Sequence, residues 1–121
     1  MGQTFYLDKA NGIHVDLAGG DAGYLGKRLS EKLGASSPFD QILGPEQIMA
    51  NVCTSVWDWE PLGLGELVPL RAALHEVVRE LGGDVVPWGT RRAKQDRTLQ
   101  TGELLGAVDE RIARLQAQPT S

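Results

Sequence analysis

Apolar residues recur at helical spacing most clearly between residues 67 and 83. Leu67, Leu70, Leu74, Val77 and Leu81 follow one another at steps of three and four, which sets them on one stripe of an amphipathic helix. Gly82 and Gly83 follow and supply the positive-φ residue that commonly ends a helix. Pro69 is expected in the first turn, where a missing N–H costs nothing. A second stripe, Leu104, Leu105, Val108, Ile112 and Leu115, predicts a helix over Thr101–Gln118, stopped by Pro119. Two further helices are expected upstream. One runs from Ala22 to Leu33, with Leu25, Leu29 and Leu33 in line, Asp21 as its cap and Gly34 past its end. The other opens at Gly44-Pro45 and ends at Pro61, with Ile48, Val52, Val56 and Trp59 on its apolar face beside Met49 and Cys53.

The N-terminal pattern is different. Thr4–Leu7 and Ile13–Leu17 are short apolar runs split by a segment ending in Asn11-Gly12, a strong hairpin signal. Ile13, Val15 and Leu17 alternate with His14 and Asp16, as in a half-buried strand. Asp84–Trp88 suits a short third strand, confined by Pro87 to an edge or an end. The expected fold is a small single α+β domain over residues 1–121. An N-terminal β-hairpin packs with about four α-helices, residues 89–100 form a polar basic loop, and residues 119–121 a tail.

Composition changes this picture little. At 121 residues with 41% apolar and 23% charged content, the chain can bury its own core without metals or disulfides. One cysteine, Cys53, rules out an internal disulfide framework. No apolar run is long enough to span a bilayer, and the N-terminus lacks a signal-peptide pattern. Tyr6 stands where a myristoylation motif needs Ser or Thr. A cytoplasmic protein is expected. Charge is unevenly placed. Residues 1–90 hold six Lys/Arg and twelve Asp/Glu, and residues 91–121 hold six and four, for a total of −4. An acidic domain with one basic segment argues against a nucleic-acid-coating role and leaves room for a local contact.

Catalytic templates fail at named residues. Gly19, Gly20, Gly23 and Gly26 lie between strand and helix, where phosphate loops occur, but their spacing fits neither the dinucleotide fingerprint nor a P-loop. His75-Glu76 opens a zinc-protease-like helix, yet Arg79 stands where the second His is needed. Arg71, His75 and Arg79 instead read as a solvated basic face beside Glu76 and Glu80. Cys53 could act as a nucleophile only with His14 or His75 in reach; as a mid-helix residue beside an apolar face it reads as a small buried hydrophobe. Asp58 and Glu60 flank Trp59, which admits an acid–base site. No catalytic residue, metal site or cofactor is assigned.

Binding features remain. Of Trp57 and Trp59, one is expected in the core and the other as a partly exposed contact anchor. Arg91, Arg92, Lys94 and Arg97 form the densest positive cluster, just after Trp88. These seven residues are the candidate partner-binding set. They suit a non-catalytic protein–protein interaction module: an accessory, assembly or inhibitor/immunity-type protein of bacterial or phage type, binding another protein or itself. The alternatives are a nucleic-acid contact through residues 91–97, and a small enzyme using Cys53 with a histidine or the Asp58/Glu60 pair.

Leu7-Asp8-Lys9, His14-Val15-Asp16-Leu17-Ala18-Gly19, Pro38 and Ile42-Leu43-Gly44 together resemble early segments of the YfbM-type bacterial domains of unknown function. The likeness stops after Gly44 and implies no activity.

Overall fold

The computed structural model describes residues 2–33, 45–89 and 97–117. Strands β1 (Gly2–Asp8) and β2 (Ile13–Ala18) form the expected antiparallel hairpin. A 3-10 turn at Lys9–Asn11 joins them, and Gly12 closes it in the left-handed region at φ 70°, a conformation glycine adopts without penalty. The register shifts between Tyr6 and Asp8. The extra residue in β1 lets Leu7 and Asp8 both turn inward, so β1 ends on two consecutive buried side chains.

Helix α1 (Gly19–Leu33) starts directly from β2, three residues before the expected Ala22. Asp21 therefore lies in its first turn and is not the residue preceding it. Helix α2 (Pro45–Thr54) is shorter than its apolar pattern predicts. It stops at Ser55, whose φ of 62° breaks the helical path. The chain then enters β3 (Val56–Asp58), which pairs parallel with β1. The sheet order is β2-β1-β3, so β1 is central and carries both neighbours.

Helix α3 (Leu64–Glu80) buries Leu67, Leu70, Leu74 and Val77, as expected. It begins earlier than residue 67, which puts Pro69 inside the helix and not in its first turn. Gly82 at φ 78° follows its end. Residues 83–87 form no strand, in contrast to the expected Asp84–Trp88 strand. They lie as an extended strap across α4 (Arg97–Ala117), and Val86 N–H donates to the Gly102 carbonyl at 3.0 Å. Two glycines one helical turn apart make the crossing possible. A Cβ on Gly102 would meet the Asp84 carbonyl oxygen, and one on Gly106 would meet Val86 and Trp88 backbone atoms. Covered by the strap as well as by α3 and the sheet, α4 is buried all round from Gln100 to Val108, not on one stripe.

The core lies between one face of the sheet and the helices. Phe5, Val15, Leu17 and Trp57 from the sheet meet Leu25 and Leu29 of α1, the α3 stripe, and Leu104, Leu105 and Val108 of α4. The other sheet face carries Thr4, Tyr6, His14, Asp16 and Asp58 and is open, as in many antiparallel sheets.

Candidate interaction surface

Helix α2 is held to the fold by its end and by one side. The buried Gln3 side chain donates to the Val52 carbonyl at 3.2 Å and accepts from Trp57 Nε1 at 2.9 Å. This fixes the α2 C-terminus against the β1–β3 pair. Ile48 turns toward α1, where it lines a groove of about 450 Å³ with Gly23, Lys27, Ser30 and Glu31. Glu46, Gln47 and Thr54 are exposed, and so are small and apolar side chains between them. Met49 is 69% exposed, Val52 is 37% exposed, and Ala50 and Cys53 are exposed. Met49, Val52 and Cys53 follow at steps of three and one, so they form one stripe. Val56, also exposed, opens β3 directly after the helix.

This surface differs from an ordinary solvated helix face in its charge. Residues 47 to 57 contain no Asp, Glu, Lys or Arg, although surface helices usually carry charges opposite their apolar side. Apolar spacing alone reads Val52 and Val56 as core. The lack of charge around them was the available sign that this helix presents apolar groups outward.

The two tryptophans between the strands do not form part of it. Trp57 is 0% exposed and Trp59 is 1% exposed. The expectation that one of them is a partly exposed contact is corrected: period-two spacing sends both to the inner face. There Trp57 stacks on Phe5 at 4.9 Å and Trp59 meets the same ring edge-on at 5.0 Å. Trp88 is partly buried against the core, and its Nε1 donates to the His14 carbonyl at 3.1 Å. Its indole is thus fastened to β2. Arg91, Arg92 and Lys94 lie outside the described residues, as does the side chain of Arg97, whose backbone opens α4.

The catalytic candidates are dispersed or already engaged. Cys53 is exposed on α2, not buried as expected. His14 stands on β2, at the opposite edge of the sheet from β3, and His75 on α3. Among the described residues no hydrogen bond joins Cys53 to either histidine. Asp58 pairs with Lys9 Nζ at 3.3 Å, and Glu60 accepts from the Lys9 N–H at 2.6 Å. Both carboxylates brace the hairpin turn. The four glycines after β2 are helical, and Gly26 is buried where a Cβ would meet the Trp57 ring. They form no phosphate loop. The basic face of α3 is not simply solvated: Arg71 pairs with Asp109 of α4 at 2.8 Å. Glu80 binds Arg28 and Lys32 of α1, each at 2.9 Å. Among the described residues no group of three or more His, Cys, Asp or Glu side chains could hold a metal ion. No described helix is long and apolar enough to cross a membrane.

One partly buried polar cluster ties the first strand to the last helix. Asp8 accepts from the Asn11 side chain at 2.7 Å and from Arg111 Nη1 at 2.9 Å. The Asn11 hydrogen bond chiefly, helped by the Arg111 charge, holds its carboxyl below the ordinary value of 3.8 against the opposing effect of burial. A depressed carboxyl pKa stabilises the fold above the unfolded value and ceases to do so as the pH falls through the folded value. Asp8→Asn is therefore expected to lose about 2 kcal/mol at neutral pH. The difference from wild type should close on acidification below pH 3.8. Urea unfolding of both proteins at a series of pH values checks this, and a gap that stays constant with pH would contradict it.

No protein-family model, curated protein or solved structure matches this chain. The likeness of residues 7–44 to the YfbM-type domains therefore supports no statement about family.

Proposed function

We propose that the chain is a non-catalytic protein-interaction module, acting as an accessory, assembly or inhibitory component inside the cell. The observation that carries this reading is the exposed, charge-free stripe of Met49, Val52 and Cys53 on α2. Covering it removes apolar area from water, and none of its three side chains carries a charge to desolvate. Two other features favour binding over chemistry. The Asp58 and Glu60 carboxylates are engaged with Lys9, and among the described residues the lone thiol has no hydrogen bond to either histidine.

Met49→Lys tests the reading, because a side chain this exposed can change without disturbing the core. Wild-type protein should capture a partner from an extract of the cell that encodes it. The variant should recover at least about tenfold less while melting at the same temperature. Equal recovery by both proteins would overturn the assignment of this surface.

A further inference from the structure

Resting on that reading, we infer that the partner of the α2–β3 surface is a second copy of this chain, related by a two-fold axis. Two observations meet on one flank of the molecule. The first is the uncharged stripe of α2. The second is the outer edge of β3. Thr4 N–H donates to the Ser55 carbonyl at 3.0 Å, and Trp59 N–H donates to the Tyr6 carbonyl at 2.9 Å. In a parallel ladder these bonds alternate along the strand, so the intervening Val56 and Asp58 turn their own N–H and C=O groups away from β1. Among the described residues no strand lies beyond β3. Among the described residues the flank thus offers unpaired backbone groups and an apolar stripe, with only Ser55 between helix and strand.

Charge disfavours a second copy over most of the surface and permits one here. The chain carries a net charge of −4, so two copies repel one another over most approaches. Residues 47–57 are the longest stretch of the sequence without a charged side chain. A two-fold interface sets the same patch against itself and must be self-complementary. An uncharged apolar stripe meets that condition, whereas a charged patch repels its own copy. Across such an axis the two β3 edges run antiparallel, so the two sheets can join while the α2 stripes pack together.

Sedimentation equilibrium of the purified full chain, with reductant present to prevent oxidation of Cys53, tests the inference. Over concentrations from about 1 to about 300 µM, the wild-type mass should rise from 13.1 kDa toward twice that value. Met49→Lys should raise the dimer dissociation constant by at least about tenfold, with an unchanged melting curve. Val56→Glu provides an independent variant. Val56 is exposed, so the change leaves every backbone bond in place and sets added negative charge on both sides of the axis, and it should weaken the dimer in the same direction. A wild-type protein that stays at 13.1 kDa throughout, or a dimer that both variants leave intact, overturns the inference. If the wild type stays monomeric while Met49→Lys still loses its captured partner, the inference fails and the interaction surface stands. If the variant alters neither self-association nor capture, the surface assignment fails with it.

Discussion

Trp57→Ala is expected to destabilise the fold by about 4 kcal/mol. The side chain is fully buried at the centre of the sheet's inner face. It stacks on Phe5, donates to Gln3 and lies over Gly26 of α1. Truncation removes the ring and leaves a cavity that three neighbouring elements must collapse into. It also leaves the Gln3 Oε1 without its partner, and Gln3 is itself buried. A buried amide oxygen left unpaired adds about 1–3 kcal/mol to the packing loss. The same glutamine holds the end of α2, so the loss should spread into that helix. Chemical unfolding of the variant measures the effect. A cost below about 1 kcal/mol would mean that the ring is not part of the core. Loss of partner binding in this variant would report unfolding, which is why the interaction tests use Met49.

Gly106→Val is the second large effect, expected to cost about 3 kcal/mol. What a side chain would meet there is backbone of the Val86–Trp88 strap, and neither α4 nor the strap can yield by rotating a side chain. To make room, the strap must lift off α4. Lifting it separates Trp88 Nε1 from the His14 carbonyl and strains the Val86–Gly102 hydrogen bond at the neighbouring glycine. Gly23→Ala is the internal control. Gly23 is also helical, but an added Cβ there has no neighbour within 4 Å. Alanine at an open helical position should stabilise by up to about 1 kcal/mol. Opposite signs at the two glycines would show that steric closure at α4, not helix propensity, sets the requirement for Gly106. Thermal melts of the two variants decide it, and a neutral Gly106→Val would remove the strap from its proposed place.

The elements legible in the sequence are those whose local pattern and tertiary environment agree. The hairpin was signalled by Asn11-Gly12 and by the alternation of Ile13, Val15 and Leu17. The Leu67–Val77 stripe of α3 was equally direct. At residues 45–61 the two levels disagree. Ile48, Val52, Val56 and Trp59 keep helical spacing through a segment that is helix, turn and strand in succession. A competing signal was present in Trp57-Asp58-Trp59, where a charge between two aromatics is the alternation of a strand. That signal was short, and a strand of three residues gains its stability from β1, more than fifty residues away in sequence. The exposure of the α2 stripe is not legible for the same reason. Spacing identifies apolar residues that share a face, and it does not say whether anything covers that face. Gly102 and Gly106 show the complementary problem. Their requirement for space comes from a strap elsewhere in the chain, and nothing in the surrounding helical pattern marks them.

The central position of β1 also sets an order of events. Its hairpin with β2 closes through only a few residues and can form early, because short loops lose little entropy on closure. Its other edge must wait for β3, and its end must wait longer still, since Asp8 and Arg111 are 103 residues apart. Contacts of such separation slow folding relative to local ones. During synthesis the strands leave the ribosome well before Leu104, Leu105 and Val108, the α4 residues that cover their inner face. Until then the inner face of the sheet has only α1 and α3 to cover it. The core is completed only when the last helix docks, and apolar surface left open until then is the kind that favours aggregation.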